Sequence, residues 1–426
     1  MSKAGVLPPS TAPPPIPMSP PPNEQSPISP SAPSRSRKSR RSIQSSVEQL
    51  VIGNINFAIE MYQEILKDKK GSGNIFFSPI SIAAVLSLLY GGARNETEKE
   101  MAKVMGIEGI DQKRLHLAWK DLLNTLEESS SDYTIRLANR LYSNKGFNYK
   151  RDYMDLVNHC YQADLAQIDF KKYPEQSRFV INAWAEWETG RKIKGLIPAG
   201  AISKETILVL VDAIYFKGNW EEQFDMKKTR RGEFTIRTGK KKKEEKATIQ
   251  VDYMNRTGIY KAGYDYKVEV RVIEIPYLKN IQSMVIILPT QYDSLDKVEE
   301  KLTTEYLDAI PQLLVESRIN LRLPKFSMGR SVKLQDRLAD MGVKDLFDKE
   351  KADLSGVTGS REMHVSNMFH KAYIDVNERG AEPTSTLSNY GAEEFDCDHP
   401  FFFYIKDNRT GAILFMGRLE RPLNFA

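Results

Sequence analysis

The stretch "SPISIAAVLSLLYGG", Ser78 to Gly92, is the most informative part of the sequence about the architecture. Between its ends nearly every residue is apolar. Ser78 is a residue type that caps a helix N-terminus, Pro79 suits a first helical turn, and the Gly91-Gly92 pair ends the pattern. A helix without a polar face has to be buried on all sides. The stretch therefore predicts a helix at the centre of a large core.

An amphipathic helix is predicted before this stretch, and strands and a hairpin after it. The helix has apolar residues at helical spacing in "SSVEQLVIGNINFAIEMYQEILKD", residues 45–68. The predicted strands and the terminal hairpin are "TILVLVDAIYFKGNW" (206–220), "SMVIILP" (283–289), "INLRLPKF" (319–326), "HKAYIDVNE" (370–378) and "PFFFYIKDNRTGAILFMGRL" (400–419). Because helices come first and long strands later, the order predicts one large α+β domain.

The N-terminal segment 1–42 differs in composition from the rest. It holds 12 of the 22 prolines and few large apolar residues, so we expect a disordered tail before a folded domain over residues 43–426. Its net charge of +5 equals that of the whole chain, which leaves the body formally neutral. The basic cluster "SRSRKSRRS" is read as a nuclear address, a phosphorylation patch, a processing site or a solvated linker.

Composition excludes several classes of function. A neutral body argues against a nucleic-acid-binding fold, and no apolar run is long enough to span a bilayer. The proline-broken N-terminus has no apolar core of a secretory signal, so we expect a cytoplasmic, nuclear or unconventionally exported protein. Two cysteines cannot form a disulfide framework. No metal-ligand spacing or catalytic triad stands out, and no cofactor is predicted.

Six blocks, in order, resemble the serpin family. They are residues 74–106, "LVDAIYFKGNW" (210–220), "LPKF" (323–326), 338–356, "FHKAYIDVNERG" (369–380) and 398–418. The resemblance implies an α+β serpin fold with a large mixed central β-sheet, two further sheets, about nine helices and an exposed reactive-centre loop. It also implies a protease inhibitor rather than an enzyme, monomeric, with a serine protease or another component of a protease cascade as its partner.

The stretch "NERGAEPTSTLSNYGAEEF", residues 377–395, matches the family's reactive-centre loop. In inhibitory serpins a protease cuts this loop, and the freed segment inserts into the central sheet and distorts the enzyme. The resemblance assigns the hinge of the loop to five residues: Glu378, Gly380, Ala381, Pro383 and Thr384. Counting from Gly380 puts the scissile bond near Glu394-Phe395, whereas counting back from the "HPF" landmark puts it near Asn389-Tyr390.

Two features of the loop argue against trapping. Pro383 lacks an N–H group and cannot complete the hydrogen bonds of a central strand. The loop is also about five residues shorter than in aligned serpins, which removes roughly 17 Å of reach. We therefore expect a poor or non-trapping inhibitor that acts as a protease substrate or protein binder. The alternatives are a functional suicide inhibitor of a serine or cysteine protease by loop insertion, and a surface-binding modulator of a protease cascade such as complement.

Two groups of residues match structural sites of the family. Trp220, Lys325 and Glu378 match the breach, where the loop meets the top of the main sheet. The shutter, behind the centre of the sheet, is matched by four residues: Ser78, Ser81, Asp212 and His370. Asp212 stands where an asparagine is usual. Its carboxylate would favour a protonated imidazole and a pH-sensitive latch, although a near-isosteric replacement with a water bridge is the favoured interpretation.

The remaining charged and titratable residues are read as structural. Lys240 to Lys243 could form a glycosaminoglycan site, but a solvated hairpin tip is favoured. The other four histidines lie far apart in sequence and are interpreted as surface or core residues: His116, His159, His364 and His399.

Overall fold

The computed structural model describes residues 37–68, 73–127, 133–161, 163–237, 247–381 and 390–422. Several predictions concern residues outside these ranges. They are the tail before residue 37, Lys240 to Lys243, Pro383, Thr384 and Asn389.

Ten α-helices are present in the described ranges. They are α1 (Arg37–Asp68), α2 (Pro79–Tyr90), α3 (Asn95–Val104), α4 (Gln112–Glu127), α5 (Arg151–Leu156), α6 (Pro174–Glu188), α7 (Leu295–Lys301), α8 (Thr304–Leu313), α9 (Leu334–Met341) and α10 (Ser355–Thr358). Among these described helices, none is both long and apolar enough to cross a membrane.

The same ranges contain fourteen strands. They are β1 (Ile75–Phe77), β2 (Tyr133–Asn144), β3 (Asp164–Ile168), β4 (Leu208–Gly218), β5 (Arg230–Ile236), β6 (Ala247–Asp265), β7 (Val270–Pro276), β8 (Gln282–Pro289), β9 (Val315–Pro324), β10 (Phe326–Lys333), β11 (Val365–Val376), β12 (Glu393–Asp396), β13 (Phe401–Asp407) and β14 (Ile413–Leu419).

The strands form two sheets. One has five strands in the order β10-β11-β4-β2-β3, and the other has nine. The two further sheets expected beside the central one are joined into this nine-stranded sheet by β6. Because β6 is 19 residues long, it pairs with β5 near its start, with β9 along its middle and with β7 at its end.

The central helix α2 is buried on every side, as its sequence predicts. All twelve of its residues are buried, and Ser78 caps its N-terminus by accepting a hydrogen bond from the Ser81 N–H. The helix packs against α1, β14 and β4, so it lies between the two sheets. This position places Ser78 and Ser81 directly behind the five-stranded sheet.

Helix α1 begins earlier than the sequence suggested. It starts at Arg37, six residues before the predicted domain boundary at Ile43. The last proline of the tail is Pro33, so no helix breaker separates the basic cluster from the amphipathic helix. The residues from Arg37 to Ser42 are part of α1, and the expectation of a disordered tail over residues 1–42 stays a prediction.

His116 is a core histidine, which agrees with the interpretation from sequence. It lies on α4, is 2% exposed, and its Nδ1 is 2.7 Å from the Tyr161 hydroxyl. Burial disfavours the charged imidazolium and lowers the pKa of His116 to about 4. The folded protein therefore contains a neutral His116 at neutral pH.

This burial predicts a loss of stability in acid. Between the ordinary value of 6.5 and the folded pKa of about 4, the unfolded chain binds a proton at His116 and the folded chain does not. The free energy of unfolding should fall by roughly 2–3 kcal/mol from pH 7 to pH 4.5 through this residue alone. Urea unfolding of wild type and His116→Gln at both pH values measures the difference.

The control is His159→Gln, because His159 is exposed and should leave the acid sensitivity as it is in wild type. An identical loss of stability in wild type and His116→Gln would contradict the assignment.

Candidate functional site

Two parallel strands, β4 and β11, meet at the centre of the five-stranded sheet. They pair directly over nine residue pairs, from Val365 opposite Leu208 to Ile374 opposite Phe216. A register shift between Val365 and Asn367 is the one irregularity in this ladder. Because no other strand lies between them, the sheet is closed where an inserted loop would have to enter.

The four residues matched to the shutter form one hydrogen-bonded cluster across this pair. His370 and Asp212 lie opposite each other in the ladder, and both side chains are fully buried. The Asp212 carboxylate accepts a hydrogen bond from His370 Nδ1 at 2.8 Å and another from the Ser81 hydroxyl. The Ser78 hydroxyl donates to the Leu414 carbonyl at 2.7 Å. The cluster thus links both strands to α2 and β14.

The hydrogen bonds assign a donor and an acceptor nitrogen to the His370 ring. The backbone N–H of Ser78 donates to His370 Nε2 at 3.1 Å, so this nitrogen has to act as an acceptor. The single ring proton therefore lies on Nδ1 and faces Asp212. A protonated imidazole, which the Asp212 carboxylate was expected to favour, would direct its second N–H against the N–H of Ser78. The geometry fits a neutral His370.

The breach is organised around Trp220, which follows β4. Its indole stacks on the Tyr277 ring with centroids 4.4 Å apart, and its Nε1–H donates to the Asn377 carbonyl at 2.8 Å. The backbone continues this connection, because the Trp220 N–H donates to Arg379 and the Ala381 N–H donates to Trp220. Trp220 thereby fixes the segment that leads from β11 into the loop.

Glu378 anchors the same segment by its side chain. Its carboxylate is 2.9 Å from Lys325 Nζ and accepts a hydrogen bond from the Thr229 hydroxyl at 2.8 Å. Burial alone would raise the pKa of Glu378. The hydrogen bonds from Lys325, Thr229 and the backbone outweigh it, so the pKa lies below its ordinary value. The predicted Lys325–Glu378 pair is present, with Thr229 as a third member.

Gly380 permits the close approach of the hinge to the breach. A Cβ at this position would lie 2.6 Å from the Trp220 carbonyl oxygen and 2.7 Å from the Gln223 nitrogen. Both of these are backbone atoms and cannot move aside independently. The neighbouring Ala381 accepts a hydrogen bond from the Gln223 N–H at 2.8 Å. The start of the loop is therefore tied to the segment that follows β4.

The far end of the loop is fixed in the nine-stranded sheet. Strand β12 pairs in parallel with β9, from Glu393 opposite Ile319 to Asp396 opposite Arg322. Arg322 donates two hydrogen bonds to the Asp396 carboxylate, at 2.6 and 2.8 Å. The Arg271 guanidinium lies 5.0 Å from the centroid of the Phe395 ring. Ladder and side chains together hold β12 against β9.

The structure separates the two candidate scissile positions. Phe395 is 1% exposed and belongs to β12 with Glu394, whereas Tyr390 is 91% exposed. A protease has to bind its substrate as an accessible extended segment. The Glu394-Phe395 bond lies within β12, which is paired with β9, whereas Tyr390 lies outside any strand.

Thr229, Arg271 and Arg322 were not identified from the sequence. Thr229 lies far along the chain from Glu378 and belongs to no recognisable motif. Arg271 lies in β7 and Arg322 in β9, two strands in which no sequence motif marks the arginines. The acidic residues Glu393, Glu394 and Asp396 were the one signal in the sequence for a basic partner. They do not indicate which of the many arginines is that partner.

Comparison with known proteins agrees with this architecture. The model of the serpin family, described as serine protease inhibitors, matches residues 53–422. The chain belongs to the serpin family. The α+β serpin fold predicted from the sequence blocks is confirmed.

Two known relatives and one solved structure match this chain over nearly their whole length. Serpin B3 of Homo sapiens is 36% identical over 395 residues, which covers 87% of this chain and 98% of the relative. The leukocyte elastase inhibitor of Bos taurus is 36% identical, with 88% of this chain and 100% of the relative covered. The crystal structure of uncleaved ovalbumin superposes with a TM-score of 0.80 at 28% identity, over 88% of this chain and 100% of ovalbumin.

The shutter geometry predicts a small loss of stability for one substitution of Asp212 and a large loss for another. In Asp212→Asn the side-chain oxygen can accept from His370 Nδ1–H and the NH2 group can face Ser81, so we expect a loss below about 1 kcal/mol. Asp212→Leu leaves both donors unpaired in a dry core and should cost about 2–5 kcal/mol. Urea unfolding compares the two variants with wild type.

The asparagine variant also tests the neutral imidazole. Thermal unfolding of Asp212→Asn between pH 5 and 8 should follow the same pH dependence as wild type. A changed pH dependence would show that Asp212 balances a charged His370.

Proposed function

We propose that this serpin is cut in its loop by a serine protease and released as a substrate, with little lasting trapping of the enzyme. Trapping requires the cut loop to enter the sheet before the acyl-enzyme is hydrolysed, so the speed of insertion decides the outcome. The loop sequence carries this proposal, because an inserting strand has to pair with both β4 and β11 along their closed ladder, and Pro383 has no N–H for that pairing.

The register of such a strand follows from the described hinge. If residues 377–380 form the turn, Ala381 lies opposite Val376 of β11, and Pro383 lies opposite Ile374. Pro383 would then occupy the third position of a central strand with a neighbour on each side. It has no N–H to donate, so one hydrogen bond of the new ladder is lost early in insertion. The energy barrier to insertion therefore arises before most of the favourable strand pairing has formed.

The short length of the cut segment also argues against trapping. With cleavage at Asn389-Tyr390, the inserting segment is residues 381–389, which spans ~30 Å when extended. In the same register Asn389 reaches Met368, and the ladder continues from there to Val365. The far end of the gap between β4 and β11 would remain unfilled. An incompletely filled sheet gains less free energy to hold and distort a protease.

The exposure of Tyr390 supports Asn389-Tyr390, or a neighbouring bond, as the bond that a protease cuts. Tyr390 is 91% exposed, and β12 begins three residues later. An exposed aromatic side chain suits the apolar pocket of a chymotrypsin-like enzyme, which binds the residue before the cut, so such an enzyme would cut after Tyr390, one bond beyond Asn389-Tyr390. The short distance to β12 would keep a docked protease close to the body of the serpin.

A functional suicide inhibitor is the second candidate. Two observations favour it: the relative named leukocyte elastase inhibitor is 36% identical over almost the whole domain, and the five-stranded sheet has β4 and β11 as parallel neighbours that a further strand could separate. In this case Pro383 would be tolerated during insertion.

The test is incubation of the full chain with an elastase-like and a chymotrypsin-like serine protease. We expect cleaved serpin and uncomplexed protease on denaturing gels, undiminished protease activity in a parallel assay, and a thermal unfolding midpoint that rises little after cleavage. An SDS-stable complex at a near-equimolar ratio would overturn the proposal and support the suicide inhibitor.

Substitution of the proline tests the physical reason. Pro383→Ala restores the N–H of this position and should increase both the fraction of SDS-stable complex and the thermal stability of the cleaved form. Ser385→Ala is the matched control, because it changes a neighbouring loop side chain and leaves the backbone donors unchanged. Equal behaviour of both variants and wild type would show that the proline does not limit insertion.

A further inference from the structure

A cleft of about 780 Å³ opens beside the breach. Three segments that are distant in sequence line it: residues 223–228 after β4, residues 255–257 of β6, and residues 377–379 at the end of β11, with Lys325 between them. Its volume is typical of clefts that bind small organic molecules. The breach residues Lys325 and Glu378 form part of its wall, and none of the shutter residues lines it.

The cleft has an excess of positive charge. Five cationic side chains line it against the two carboxylates of Asp225 and Glu378. Lys325 is paired with Glu378 at 2.9 Å, and Arg256 forms an ion pair with Glu222. Among the residues that the structure describes, no carboxylate pairs with the remaining three cations, which are Lys227, Lys228 and Arg379.

The turn that carries the two lysines is held rigidly. The Asp225 side chain accepts a hydrogen bond from the Lys227 N–H at 2.9 Å, and its carbonyl accepts one from the Lys228 N–H at 2.8 Å. From the opposite side, Asn255 donates to the Lys228 carbonyl at 3.0 Å. A fixed backbone lowers the entropy lost when the lysines bind a ligand.

The other surfaces of the cleft are not charged. Met226 is 73% exposed and presents an apolar side chain at the edge, while Gln223 and Asn255 supply amide groups. We propose that this cleft binds a small organic anion with two or more phosphate groups. The phosphates would contact Lys227, Lys228 and Arg379, and the organic part would lie against Met226.

Such a ligand would connect the two sides of the hinge. Lys227 and Lys228 belong to the segment after β4, whereas Arg379 belongs to the segment between β11 and the loop. A phosphate shared by them favours the arrangement in which these segments stay together, because a ligand stabilises the state that it binds more tightly. The binding itself does not depend on whether the loop traps a protease.

The experiment is isothermal titration calorimetry of the full chain with two probes, ATP and inorganic tripolyphosphate, each at 50 and 150 mM salt. We expect saturable binding with one site for both. Lys227→Ala/Lys228→Ala should weaken binding of both probes at least tenfold and leave the thermal unfolding midpoint unchanged. Lys171→Ala/Lys172→Ala, an exposed lysine pair outside the cleft, is the matched control and should bind within twofold of wild type.

The two probes distinguish which part of the ligand is recognised. Tighter binding of ATP than of tripolyphosphate, with a selective loss for ATP in Met226→Ala, supports recognition of the organic part. Equal binding supports recognition of the phosphates alone. The proposal is overturned if neither probe binds saturably, or if both lysine pairs lose binding to the same extent, since the interaction would then be unspecific charge attraction.

Discussion

The hydrogen bond between His370 and Asp212 joins the two halves of the five-stranded sheet. These two residues face each other across β4 and β11, whose ladder connects β3, β2 and β4 on one side of the sheet with β11 and β10 on the other. Both side chains are completely buried, so neither can exchange its partner for water. In a dry core the penalty for an unpaired polar group exceeds the net gain from pairing it. Separation of the strands is therefore unfavourable until another strand supplies new partners.

The loop is constrained at both ends, by different interactions. At its start Trp220, Gly380 and the Lys325–Glu378 pair join the end of β11 to the segment after β4. At its end, β12 is paired with β9 in another sheet. The number of residues between these anchors then decides how far the loop can extend and how much of the sheet it can fill. Sheet closure, the anchoring of the hinge and the length of the loop therefore together decide how much of the loop can enter the sheet.

Much of this architecture could be predicted from the sequence, for physical reasons that differ from residue to residue. Helix α2 and strand β4 are recognisable because near-continuous apolar runs have few other places in a soluble fold. The partners of Asp212 follow from the family resemblance. The neutral state of His370 does not, because it depends on the direction of one backbone N–H, that of Ser78. The cleft could not be predicted either, since its walls come from segments that only the folded chain brings together.

Strands β12, β13 and β14 all lie on the C-terminal side of the loop. Each of them pairs with a strand from an earlier part of the chain: β12 with β9, β13 with β8 and β14 with β1. A nick in the loop would therefore not free the C-terminal piece. The two polypeptides would persist as a tight heterodimer whose interface is an ordinary hydrophobic interior. They would migrate as one particle in a native separation and come apart only in denaturant.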